Sequence, residues 1–318
     1  MRHFLLFLLT LTLAFLALSA GRNWLSPPEL LEALVGDPQG LGRMVWSLRV
    51  PRVLVGVVAG CCFGVAGIVF QSLLRNPLAS PDIIGLSQSA ALGAVVALMA
   101  GLPIMFGAWV GGLSAILLLA WLAGHPRHGI EPRAVVLQGL GLAILSGAAT
   151  EALILRAGDN DAGMMMTWLA GTLNGAGWPE VHDALWLVLM MVPLLLSGRT
   201  IDRLELGDDL ARALGLRVGF LRATLGLNAA LVVAGAVALC GPMTFVALAA
   251  GPIARLVCYG RPDPIAAALA GASFVTIADM LARSFSSMAL LPGGLYTALI
   301  GAPILILAVR RQARRETS

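Results

Sequence analysis

The segment Arg75-Asn76-Pro77-Leu78-Ala79-Ser80-Pro81-Asp82-Ile83-Ile84-Gly85-Leu86-Ser87 separates two apolar runs, each long enough to span a bilayer, with a polar stretch carrying two prolines four residues apart. A proline lacks the backbone donor and clashes with the preceding turn, so no continuous helix can pass through. At membrane depth, the backbone groups freed by such a break must be satisfied by protein or by a water-lined cavity. The segment therefore reads as a re-entry point and not as a solvated loop of a globular domain.

The rest of the chain agrees with a membrane setting. Apolar residues make up 58% of its 318 residues, charged residues 12%, and the mean hydropathy is +0.89. That balance excludes a single water-soluble core with an ordinarily charged surface. Because a helix needs about 20 residues to cross the hydrocarbon region, spans are expected near 4–21, 52–74, 84–101, 103–123, 134–156, 181–198, 219–240, 244–259, 264–284 and 294–309. The third has an indefinite start and the eighth is short. The first carries a basic start and a small-residue end that would suit a signal peptide, but nine further spans favour an uncleaved first helix. The expected fold is thus an all-α polytopic protein of about ten spans, forming one membrane domain over residues 1–318.

All 21 basic residues are Arg. With the N-terminus inside, Arg2, Arg75, Arg127, Arg133, Arg199, Arg203, Arg212, Arg217, Arg222, Arg255, Arg261, Arg310, Arg311, Arg314 and Arg315 fall on the inner side, 15 against 6 outside. This satisfies the positive-inside rule with both termini cytoplasmic. The net charge of +4 then reflects topology and anionic headgroups, and no aromatic-interleaved basic patch suggests nucleic acid. Cys61, Cys62, Cys240 and Cys258 lie in or at the ends of apolar runs without ligand-like spacing or a His nearby in sequence, and read as small packing residues. His3, His125, His128 and His182 are scattered, and no catalytic or metal-binding arrangement emerges. The Met164-Met165-Met166 run beside Trp168 reads as core rather than haem ligation.

There is no P-loop, so ATP-derived energy would have to come from another chain. The 37 glycines indicate close helix packing. A weak internal echo links residues 60–86 with 235–256, since each has an apolar run, a Gly/Pro-rich break and then an Arg; paired broken helices are a device of transporters built from inverted repeats.

The longest polar stretch, Arg199 to Arg222, contains Leu206-Gly207-Asp208-Asp209-Leu210-Ala211-Arg212-Ala213-Leu214-Gly215-Leu216. Asp208 and Asp209 suit the first turn of a helix and Gly215 its end. Leu210, Ala213 and Leu214 would share a face away from the charges. About seven residues do not hold a helix in water unaided, so this helix needs something to dock on, either a protein partner or the lipid surface.

Carboxylates inside apolar spans are costly and mark pathways or partners. Asp279 has Arg283 four residues on, on the same helical face, and the two are expected to pair. Glu151 either lines a cavity or hydrogen-bonds a neighbouring helix. Arg49 and Arg52 lie on the outer side against the general bias of Arg, which suits either headgroup anchoring or an acidic docking partner.

Several blocks, taken in order, carry a resemblance: Arg49-Val50-Pro51-Arg52; Arg75-Asn76-Pro77-Leu78-Ala79-Ser80-Pro81-Asp82 to Gly85; the Leu206–Leu216 stretch; Cys240-Gly241-Pro242-Met243-Thr244; and Leu291-Pro292-Gly293-Gly294-Leu295. Over about residues 45–310, the chain resembles the iron-chelate and vitamin B12 uptake permeases, the membrane subunits of type II ABC importers. Where that family has Pro-His before Ile-Ala-Arg, this chain has Gly251-Pro252 before Ile253-Ala254-Arg255.

The resemblance implies that Gly207, Asp208, Asp209, Leu210, Ala211, Arg212, Leu214 and Gly215 form a coupling element seated in a cleft of the ATPase subunit. It also implies that Arg49, Arg52 and Arg283 face carboxylates of a periplasmic substrate-binding protein. Gln88, Glu151, Met165, Trp168 and Asn174 become candidate pathway or gating residues. The implied assembly is two permeases, here a heterodimer because Gly251-Pro252 departs from the family, with two ATPases that hold ATP and Mg, a periplasmic binding protein and the inner membrane. The chain itself would bind no cofactor and catalyse nothing. A ferric siderophore is the expected cargo, with the segments 68–75 and 171–175 resembling the catecholate-siderophore branch; vitamin B12 or haem import and ion-coupled secondary transport through Glu151 or Asp279 are the alternatives, with a membrane-embedded enzyme a further one.

Overall fold

The computed structural model describes all residues except 1, 22–23, 36–39, 126–128, 131, 285–290 and 317–318. Arg22 and Arg127 of the charge count therefore lie outside the described residues. Among the described residues the chain is all-α apart from one two-residue ladder pairing Gly124–His125 with Gly129–Ile130.

Among the described residues, seven helices are long and apolar enough to cross a membrane. They are α1 (Arg2–Ser19), α4 (Val50–Leu73, continuing an outer helical stretch from Leu41), α6 (Ile104–Ala123), α7 (Pro132–Ile154), α9 (Trp178–Leu195), α12 (Val218–Cys240) and α14 (Pro264–Ser284). Three shorter apolar helices, α5 (Leu86–Met99), α13 (Val246–Val257) and the apolar part of α15 (Gly293–Glu316), complete the ten expected segments. At 1.5 Å per residue, α5 and α13 fall well short of a hydrocarbon thickness of about 30 Å, so each covers part of the depth only.

Three elements between the spans have no counterpart in the sequence reading, α2 (Pro27–Val35), α3 (Leu41–Met44) and α10 (Gly198–Glu205), whereas α8 (Asp159–Leu169) is the short apolar piece after the fifth span, which the resemblance makes a short helix. α3 runs through a π turn, Val45–Arg49, directly into α4. α11 (Asp208–Ala213) is the expected short helix.

α4 forms the centre of the bundle. Gly60, Gly64 and Gly67 bring its backbone against that of α14 and of the start of α13, where a Cβ would overlap main-chain atoms. The internal echo is a packing pattern: α4 lies on α14 as α12 lies on α6, α4 meets α13 as α12 meets α5, and the α5–α6–α7 group has its counterpart in α13–α14–α15. Each set begins with a long helix that breaks before a short one.

The break after α4 is satisfied by protein, one of the two alternatives the prolines left open. Asn76 N donates to Gln71 O at 2.9 Å, Ala79 N to Asn76 O at 3.0 Å, Ile84 N to Ser80 O at 3.1 Å and Leu86 N to Pro81 O at 2.9 Å. Arg75 and Gly85 supply the left-handed turns, at φ 48° and 76°. Ser87 Oγ donates to Asp82 Oδ1 at 2.6 Å, and the backbone amide of Phe245 is also directed at this carboxylate. Phe245 immediately precedes α13, so one negative charge serves the N-terminal ends of both short helices, where a helix dipole favours an anion.

Candidate coupling and docking sites

At one end of the bundle, α11 stands between two left-handed glycines, Gly207 at φ 109° and Gly215 at φ 81°, which start and stop it. Ala211 is fully buried against the body of the protein. Leu210 and Leu214 are each 51% exposed and present an apolar edge outward. Asp208 anchors the element from behind: Arg222 Nη1 and Nη2 donate to its oxygens at 2.9 and 2.7 Å, and Arg75 donates to Oδ1. Arg75 also donates to Leu204 O at 3.3 Å. Partial burial raises the Asp208 carboxyl, but Arg222 and Arg75 outweigh it and hold the group below its ordinary value. Asp209 is fully exposed and is bonded by Arg212 at 3.0 Å. A second tie lies alongside, in which Arg255 of α13 binds Glu205 at the end of α10 at 2.5 Å and Ser72 Oγ of α4 at 3.1 Å. The exposed leucines are thus mounted through Asp208 on the break after α4 and on α12, beside the tie from α13 to α10.

The opposite end brings two of the candidate docking arginines onto one carboxylate and the third onto the adjoining end of α1. Asp279 is paired with Arg283 at 3.0 Å, as its spacing predicted, and with Arg52 at 2.6 Å. Arg52 Nη1 also donates to Asn174 Oδ1 at 2.8 Å. Arg49 is buried and donates to Leu18 O and Ser19 O at 2.7 and 2.8 Å. Arg283 donates to Ala17 O and Ala20 O at 2.9 and 3.0 Å. Two guanidinium groups therefore cap the last carbonyls of α1, where positive charge is favoured. Arg49, Arg52 and Arg283 share one site, and each has bonds within this chain.

The candidate pathway residues do not converge. Met165 is buried in a small cluster with Val95 and Ile154, which fits its core reading. Trp168 is partly buried at the end of α8, Gln88 is partly buried on α5, Glu151 is exposed on α7, and Asn174 belongs to the arginine cluster. The stretch after α8 holds a junction that the sequence did not disclose. Thr172 N donates to Cys240 O and Gly294 N to Gly171 O, both at 2.8 Å, so the end of α8, the break after α12 and the start of α15 interlock. The signal was the clustering of Gly and Pro at Gly171, Gly241-Pro242 and Pro292-Gly293-Gly294. Asp82 was also missed as a site residue; its place beside Ser87, five residues on across a turn, gives no helical spacing to recognise.

With this arrangement in view, comparison with known proteins is direct. The FecCD transport family profile matches residues 8–311, and the chain belongs to that family. The chain is 35% identical over 315 residues to the achromobactin transport system permease protein of Dickeya dadantii, covering 96% of this chain and 90% of the relative. It is 35% identical over 306 residues to the ferric enterobactin transport system permease protein of Escherichia coli K12, covering 94% and 92%. Among solved structures, a metal-chelate type ABC transporter in an inward-facing conformation superposes with a TM-score of 0.85 at 26% identity, covering 97% of this chain and 98% of the other. The expected permease family and all-helical fold are therefore established.

Proposed function

We propose that this chain is the membrane permease of an ATP-driven importer carrying a ferric siderophore inward from a periplasmic binding protein. The observation that carries this reading is α11: a helix of six residues with Leu210 and Leu214 exposed, pinned from behind by Asp208, which the resemblance makes a coupling element. Exposed leucines on a rigid mount suit insertion into an apolar cleft of a partner. Family membership supports an ATPase as that partner, which would bind ATP and Mg, while this chain contributes no catalysis. The α11 end is then cytoplasmic, in agreement with the arginine distribution, and the protein resides in the inner membrane.

The Asp279–arginine cluster lies at the end that would meet the binding protein. Arg52 is the member best placed for docking, because its side chain retains some exposure while Arg49 is committed to α1. The second permease is read as a different chain, on the ground that Gly251-Pro252 departs from the family pattern. Support for a siderophore cargo comes from the named relatives and from the segments 68–75 and 171–175.

The test is reconstitution in liposomes with a candidate ATPase, second permease and periplasmic binding protein. ATP-dependent accumulation of a ferric siderophore supports the reading; accumulation of vitamin B12 or haem instead reassigns the cargo. Uptake driven by a proton gradient without the ATPase overturns it in favour of secondary transport.

A further inference from the structure

The three donor side chains His3, Cys258 and Asp263 come from separate places in the sequence, and their ligand atoms all lie within 4.8 Å of one another. We propose that they form a binding site for a divalent transition-metal ion of borderline softness, bridging the start of α1 to the turn between α13 and α14. This rests on the three residues themselves and not on the transport reading.

The donors are positioned by groups that do not themselves bind the ion. Asp263 precedes α14, and its Oδ1 accepts the Ala266 amide at 2.8 Å as a helix cap, leaving Oδ2 directed at His3 Nε2, also at 2.8 Å. Cys258 ends α13, its amide bonded to Ala254 O at 2.8 Å. Between them the chain reverses through two left-handed residues, Tyr259 at φ 56° and Gly260 at φ 89°. A bulky aromatic residue in that conformation is disfavoured by about 1 kcal/mol or more, and the turn returns the chain so that Asp263 comes within reach of Cys258. His3 is brought in by its neighbour: the Arg2 guanidinium lies 3.1 Å from the centre of the Tyr259 ring and donates to Val257 O. Farther along α1, Thr10 bonds Ser273 of α14 at 2.9 Å. The start of α1 is thereby held on the α13–α14 turn whether or not His3 has a ligand.

The chemistry selects the kind of ion. Imidazole nitrogen, thiolate sulfur and carboxylate oxygen suit Zn²⁺, Co²⁺ or Fe²⁺, whereas Mg²⁺ and Ca²⁺ prefer all-oxygen sites. A thiolate and a carboxylate neutralise a divalent charge, and three protein ligands leave a fourth position for water. Without a metal, an ordinary His3–Asp263 ion pair and a hydrogen bond between the Cys258 thiol and Asp263 account for the cluster; with one, the thiol ionises and binds the ion directly. The thiol therefore decides between the readings.

The test titrates Co²⁺, as a spectroscopic stand-in, into the full chain purified in detergent without a polyhistidine tag. Expected are a thiolate-to-cobalt charge-transfer band that Zn²⁺ displaces, loss of that band in Cys258→Ser, and affinity weakened at least about ten-fold in His3→Gln and in Asp263→Asn. Asn retains the capping oxygen, so helix α14 is preserved. Absence of the band in the unaltered chain, its survival in Cys258→Ser, or unchanged affinity in both of the other variants overturns the site.

Discussion

Asp208 accepts hydrogen bonds from Arg222 at 2.7 and 2.9 Å and a further one from Arg75, so the first turn of α11 is tied at once to α12 and to the break after α4. Force applied to α11 therefore reaches the broken helix through two guanidinium groups. The groups are partly solvated, so the tie is worth on the order of 1 kcal/mol after screening. Asp208→Asn is expected to lower ATP-driven uptake several-fold while the ATPase still co-purifies. The folded carboxyl lies below its ordinary value, so the tie is fully present above the ordinary carboxylate range, about 4, and is lost only as pH falls through the depressed value. Uptake profiles of the parent and Asp208→Asn should accordingly run parallel from pH 5 to 8. A difference that closes within that window counts against the tie.

The exposed edge of α11 makes a separate prediction. Replacing Leu210 or Leu214 with Asp places a charge where an apolar cleft must close, at a cost large enough to abolish docking. Both side chains face away from the body, so insertion and folding should be unaffected. ATPase co-purification and ATP-dependent uptake should both collapse, with normal amounts of permease in the membrane. Retention of both in each variant removes α11 as the coupling element.

The bundle was legible because apolar length registers directly in composition. All ten segments fall where hydropathy placed them, and α11 stops at the glycine that can adopt its turn. The local pair Asp279–Arg283 was legible through its i,i+4 spacing, but the addition of Arg52 was not, since residues 52 and 279 meet only after α4 packs on α14. The same limit hid His3 beside Cys258, which by sequence has no histidine near it. Arg49 reads as a surface cation because its neighbours in sequence are outside the membrane. Its burial depends on the unbonded carbonyls at the end of α1, some 30 residues away. Tertiary proximity of this kind leaves no periodicity to read.

Gly251 has an explanation that does not require the family pattern. The side chain of Gln71 occupies the space above it, so that a Cβ at 251 would overlap Gln71 Oε1, while Gln71 Nε2 donates to Leu248 O at 3.1 Å. Gly251→Ala should destabilise the chain by about 1–3 kcal/mol through overpacking. In a Gln71→Ala background the same change should cost little. Thermal unfolding of the four proteins in detergent forms a double-mutant cycle, and additive effects would show that the two residues are independent.

At the outer end, the Asp279 carboxylate is the counter-ion shared by Arg52 and Arg283, with only 7% of its side-chain surface exposed. Removing it leaves two largely enclosed cations facing each other beside Arg49, a situation that costs about 3–5 kcal/mol at buried ion pairs. Asp279→Ala should therefore lower the unfolding temperature markedly and loosen the end of α1, which Arg283 and Arg49 hold by its carbonyls. Arg52→Gln is expected to be milder, because it leaves the Asp279–Arg283 pair and retains a hydrogen-bonding side chain. The comparison separates structure from docking. If Arg52 meets the binding protein, Arg52→Gln should weaken association and flatten its salt dependence at nearly unchanged stability. Equal affinity at low and high salt for parent and variant would confine Arg52 to its internal role with Asp279 and Asn174.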